Sequence, residues 1–181
     1  MLFVFLSCCS SANLMCTICQ GRAKRALTQL NNEGKLDIDF NSSCSTLGHG
    51  DSTLCNKVFP KVMKSILMES GGDILCSSFD YCPKNPTLKK QDITVVDKSH
   101  LEDPSLNECS YCELFFSYFA TDGLKSFAIP AGKEIVERVC PALMPDKKFC
   151  DDIKENKVEK IIEMIILHYN PSKACKIAEL C

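Results

Sequence analysis

Twelve cysteines set the chemistry open to this chain. They fall in two sets with matched spacing: Cys16, Cys19, Cys44, Cys55, Cys76 and Cys82, then Cys109, Cys112, Cys140, Cys150, Cys175 and Cys181. The intervening gaps are 2, 24, 10, 20 and 5 residues in the first set and 2, 27, 9, 24 and 5 in the second. One unit is therefore written twice, with a period of about ninety residues. A Cys-x-x-Cys pair can be a thiol redox site, half of a zinc site or part of a disulfide frame. Redox chemistry of the thioredoxin type needs the pair to follow a strand in a βαβ unit, and no such alternation is present. Zinc would use the two Cys-x-x-Cys pairs and leave eight thiols without a role. Structural disulfides use all twelve, although six cysteines permit 15 pairings and spacing alone does not choose among them.

The elements that must position these cysteines all read as helices. Residues 14–30 place Met15, Cys19, Ala23, Ala26, Leu27 and Leu30 on one face, with Arg22, Lys24 and Arg25 turned outward, and Gly34 follows the end. The alternation of Leu36, Ile38 and Phe40 resembles a strand but is read as a short irregular helix leading to Cys44. Asp51 or Ser52 caps a helix through Cys55 to about Glu69, bent at Pro60 and closed by Gly71-Gly72, after which Asp73 caps a last short helix. In the second set, Ser105 and Glu108 form a capping box for a helix running through Phe119 toward Gly123. Pro130 opens a helix that Pro141 stops. Asp146 caps a long helix to Tyr169, and Asn170-Pro171 starts the last one.

The cysteine pattern resembles that of the saposin-like (saposin B-type) family. The shared features are a Cys-x-x-Cys near the start, a close pair in the middle and a final pair six positions apart, and they cover residues 16–82 and 109–181. The resemblance implies an all-α fold of two tandem disulfide-stapled bundles, each of four to five helices. It also implies nested pairing: Cys16 with Cys82, Cys19 with Cys76 and Cys44 with Cys55, then Cys109 with Cys181, Cys112 with Cys175 and Cys140 with Cys150. Loops this long each contribute roughly 3 to 4 kcal/mol in the chain-entropy account of disulfides.

The 181 residues then divide into a signal peptide (1–12), a first unit (13–83), a linker (84–104) and a second unit (105–181), with two small cores expected rather than one. Residues 1–12 carry an apolar run from Leu2 to Leu6, then Cys8, Cys9 and small residues suited to cleavage after Ala12. This leader is short and lacks a basic start, as a truncated one would. The competing reading, a buried N-terminal helix, leaves two odd cysteines unexplained. Fourteen cysteines imply maturation in an oxidising compartment, secreted or lysosomal. In that setting the sequon Asn41-Ser42-Ser43 predicts glycosylation at Asn41. Lys89-Lys90 in the linker is a candidate processing site. No stretch approaches the ~18 uninterrupted apolar residues of a membrane span.

Charge excludes one class of partner. The units carry seven basic against seven acidic residues and ten against twelve, so neither offers a phosphate-binding stripe and nucleic acid is not expected. His49, His100 and His168 are scattered, and no nucleophile has a partner at recognisable spacing, so the chain reads as a non-enzyme with no cofactor and no metal. Residues 161–167 hold one polar position in seven, a surplus over what one helix face needs. Together with Phe115, Phe116 and Phe119, residues Ile161, Ile162 and Ile165 are the candidate lipid contacts, against the plainer reading of a filled core.

The family resemblance implies a carrier that binds membrane lipids, sphingolipids in particular, and presents them to a lysosomal hydrolase. A homodimer is the other use of an apolar face, and an amoebapore-type pore-former is the rival function. The near-neutral charge weakens that rival. Two residues before the final cysteine, where some family members carry a pH-linked histidine, stand Asp80 and Glu179. Desolvation by Phe79 or Leu180 would raise their pKa and make them acid switches, unless both are exposed caps of a terminal helix.

Overall fold

The computed structural model describes residues 5–47, 51–83, 93–103, 105–121 and 123–181, without the side chains of residues 5–12, 51, 52, 98, 102, 124 and 125. Among them there are helices and connecting segments and no strand. Eight α-helices run in order: α1 (Phe5–Asn32), α2 (Asn41–Cys44), α3 (Asp51–Ser78), α4 (Glu108–Ala120), α5 (Ile129–Leu143), α6 (Lys147–Asn156), α7 (Val158–His168) and α8 (Pro171–Ile177). Six disulfides tie Cys16–Cys82, Cys19–Cys76, Cys44–Cys55, Cys109–Cys181, Cys112–Cys175 and Cys140–Cys150. These are the nested pairs that the resemblance implies. None of the six joins one cysteine set to the other.

The core does join them. Most of the buried side chains form one cluster that runs from Leu27 in α1 to Ala178 after α8 and draws on both cysteine sets, where two separate cores were expected; a small second cluster gathers Ala23, Cys76 and Cys82. Phe59 of α3 is the point of contact. Its ring lies 4.6 Å from Phe40 and also 5.4 Å from Phe115, 5.7 Å from Phe119 and 5.0 Å from Phe127. Sharing one interior answers the size problem, because a unit of about 70 residues buries too little surface alone. Polar contacts border the junction: Tyr169 Oη donates to Ser70 Oγ at 2.8 Å, Ser43 Oγ donates to Glu134 Oε1 at 3.1 Å, and Lys57 pairs with Glu108.

Several helix boundaries differ from expectation for local reasons. α3 runs unbroken through Pro60 and through Gly71-Gly72. The two glycines are crossing points rather than a stop: a Cβ on Gly71 would lie 2.6 Å from Leu27 Cδ1, and one on Gly72 would lie 3.4 Å from the carbonyl oxygen of Gln20. Asp73, expected as a cap, instead accepts a hydrogen bond from Gln20 Nε2 at 2.6 Å. Residues 37–40 are not helical. Leu36, Ile38 and Phe40 are buried while Asp37 and Asp39 are exposed, so the alternation is realised in an irregular segment that pairs with no strand among the described residues.

In the second set Asn107, not Ser105, caps α4, accepting from the Ser110 N–H at 2.8 Å. Ser105 is held in a turn by Asp103. Pro141 lies inside α5, which ends at Leu143. The long helix expected from Lys147 to Tyr169 divides at Lys157 into α6 and α7, while the Asp146 and Asn170 caps form as expected. His49, the linker residues 84–92 with Lys89-Lys90, and Met1 to Val4 of the leader lie outside the described residues, as do the side chains of Asp51 and Ser52 on which the expected cap rests. Residues 5–12 continue α1 on its N-terminal side.

Candidate ligand-binding cleft

The two final-pair cysteines of each set are separated by the same backbone device. At the end of α3, the Tyr81 N–H donates to Cys76 O at 2.9 Å and the Asp80 N–H to Ser77 O at 3.3 Å, with Asp80 at φ 63°. At the end of α8, the Leu180 N–H donates to Cys175 O at 3.1 Å and the Glu179 N–H to Lys176 O at 3.0 Å, with Glu179 at φ 56°. Both are Schellman terminations with a left-handed residue at the position after the cap. The reversal brings Cys76 and Cys82 to one side of the helix end, where they bond Cys19 and Cys16 on α1. A five-residue gap places each final cysteine one residue beyond the motif.

That double tie fixes the middle of α1 over the end of α3, and an apolar cleft of about 150 Å³ opens between them. Met15 and Ile18 line it from α1, Leu75 and Phe79 from α3 and just beyond, and Leu143 and Met144 from the end of α5. Among the described residues, Arg22 is the only charged one in the lining. Beside the cleft Leu14, Met15 and Ile18 are 60%, 52% and 43% exposed, three large apolar side chains on one stretch of one helix. Among the described residues the other exposed large apolar side chains, Met68 and Val95, stand singly.

Sequence reasoning placed Met15 on the inward face, and the structure turns it outward. The turn of α1 that bears Cys16 and Cys19 is anchored from below by sulfur rather than by packing, so its remaining apolar residues need no core. The signal available was Leu14, Met15 and Ile18 at i, i+1 and i+4.

The residues singled out as lipid contacts occupy other positions. Phe115, Phe116, Phe119, Ile161, Ile162 and Ile165 are all fully buried, packed against Tyr111, Phe127, Ala131, Ile135 and Phe59. The surplus apolar residues of α7 are absorbed by α3 and α5, which pack on either side of it. In this conformation the six are core, and the exposed large apolar side chains that cluster together are those of α1. Asn41 of the sequon is exposed, its side-chain amide donating to Asp39 Oδ2 at 2.8 Å.

The charged groups near the cleft are also settled by geometry. Asp80 is 60% exposed and paired with both Lys160 and Lys157, the latter at 3.0 Å. Hydrogen bonds from those two ammonium groups hold its pKa at about 2. Desolvation was expected to move it the other way, and the lysines outweigh it. His168, at the end of α7, has its proton affinity lowered first by burial and then by Lys173, with Asp73 opposing. Its Nε2 is buried without a hydrogen-bond partner among the described residues. A cluster of possible metal ligands, Cys109, Glu113 and Cys181, has its two sulfurs bonded to each other, which removes them as thiolate donors. No helix among the described residues is long and apolar enough to cross a membrane. Neither a protein-family profile, nor a curated protein, nor a solved structure matches the chain.

Proposed function

We propose that this chain is a lipid-binding protein of the secretory pathway, secreted or lysosomal. Its two saposin-like units, residues 13–83 and 105–181, would together take lipid molecules from membranes and present them to hydrolases, with no covalent chemistry of their own. The observation that carries the reading is the exposed strip of Leu14, Met15 and Ile18 running into an apolar cleft. Six disulfides support the compartment, since such a frame persists only where thiols are oxidised. The strip suits shallow contact with a bilayer surface and the cleft suits capture of an apolar chain.

Transfer of labelled phospholipids and sphingolipids between vesicles, at neutral pH and at about pH 5, tests the proposal. Transfer without dye release is expected. No transfer for any headgroup class would defeat the carrier, and dye release at low protein-to-lipid ratio would replace it with a pore-former.

A further inference from the structure

The cleft carries more detail than lipid binding in general. Resting on the lipid-binding reading, we propose that it is a site for one free fatty acid, bound with its alkyl end between α1 and the end of α3 and its carboxylate at Arg22. Size limits the occupant first. A volume of about 150 Å³ is about what a benzene-sized apolar group fills. It takes the end of a single chain and has no room for the paired chains of a diacyl lipid. The strip of Leu14, Met15 and Ile18 continues along α1 on the side away from Arg22 and covers the tip of a chain too long for the cleft.

Charge selects the headgroup. Arg22 is exposed and pairs with no carboxylate among the described residues. The nearest acidic side chain along the lining segment, Asp80 between Phe79 and Tyr81, is already matched by Lys157 and Lys160. The unmatched charge at the mouth is therefore positive, and a planar guanidinium fits a carboxylate with two parallel hydrogen bonds. A neutral head would leave it unused.

Calorimetric titration of the full chain with octanoate, decanoate and decanol, each below its micelle concentration, tests this. One molecule per chain is expected, with affinity rising about fourfold for each methylene until the cleft is filled. Arg22→Gln is expected to weaken decanoate by about fivefold and leave decanol unchanged, since an exposed ion pair adds only modestly. Ile18→Glu should abolish binding of both. Met15→Ser, on a side chain more than half exposed, should weaken both and serves if Ile18→Glu loses its helical circular dichroism.

Decanoate binding that neither Ile18→Glu nor Met15→Ser alters would overturn the site. So would a dimer, seen by sedimentation and dissolved by Ile18→Glu, together with no decanoate binding, because a second copy would then be the occupant. Lipid transfer without saturable decanoate binding overturns this site and leaves the carrier standing. Decanoate binding without transfer sustains the site and defeats the carrier.

Discussion

At the scale of single residues, Asp80 and Glu179 do a backbone job. Both sit at positive φ after a helix end, a conformation that costs an L-residue with a Cβ roughly 1 kcal/mol and glycine almost nothing. Glycine already fills the equivalent place after α1, where Gly34 has φ 66°. Glu179→Gly is therefore expected to stabilise the protein by about 1 kcal/mol, read as a higher denaturation midpoint. An unchanged or lower midpoint would mean that the Glu179 side chain has a partner worth more than the strain.

Asp80 keeps its charge far below lysosomal pH, so Asp80→Asn should leave the pH profile of vesicle binding unaltered above about pH 4. Among the described residues, His168 is a group whose protonation is coupled to folding in mild acid. Its folded-state pKa lies below the ordinary value of about 6.5, so on acidification the unfolded chain takes up the proton first. Stability falls as pH drops through about 6.5 and levels off once the folded-state value is passed. His168→Gln should flatten that part of a melting-temperature profile between pH 7.5 and 5, and an unchanged slope would assign the acid response to other groups.

Among the helices, glycine positions separate what sequence shows from what it hides. Gly21 has open space around the place of a Cβ, whereas on Gly132 a Cβ would lie 2.6 Å from Val158 Cγ1 and 3.1 Å from Ile162 Cδ1. Both are helical, so propensity alone predicts that alanine stabilises each by up to about 1 kcal/mol. Packing predicts that Gly21→Ala gains and that Gly132→Ala loses about 1 kcal/mol or more, because α7 must move away from α5. Chemical denaturation of the two variants decides this, and equal effects would deny the close α5–α7 contact.

Gly71 and Gly72 show the same ambiguity. In sequence a Gly-Gly pair reads as a stop, and only the crossing of α1 reveals why the helix passes through it. The caps at Asp146 and Asn170 were legible because they act through hydrogen bonds within a few residues. The cleft was not, because whether Met15 faces in or out depends on where two sulfur bonds place α1. The burial of Phe115 and Ile161 among residues of the other cysteine set was equally hidden, since no local pattern states which apolar surplus a neighbour will cover.

The whole molecule is divided by covalent bonds and united by its core. No disulfide crosses from one cysteine set to the other, yet Phe59 of the first set is fully buried among Phe115, Phe119 and Phe127 of the second. Each of these ring pairs adds about 0.5–1.5 kcal/mol beyond area burial, so the junction is a substantial part of the stability of both halves. A protease site introduced within residues 84–92 therefore yields two fragments that stay associated in native buffer, eluting together on size exclusion. In urea without reductant they separate, because only packing and polar contacts hold them. Phe59→Ala should lower stability by about 3–5 kcal/mol and release the cleaved fragments without denaturant. Independent units would behave otherwise: the fragments would part at once in native buffer, and Phe59→Ala would shift only one of two unfolding transitions.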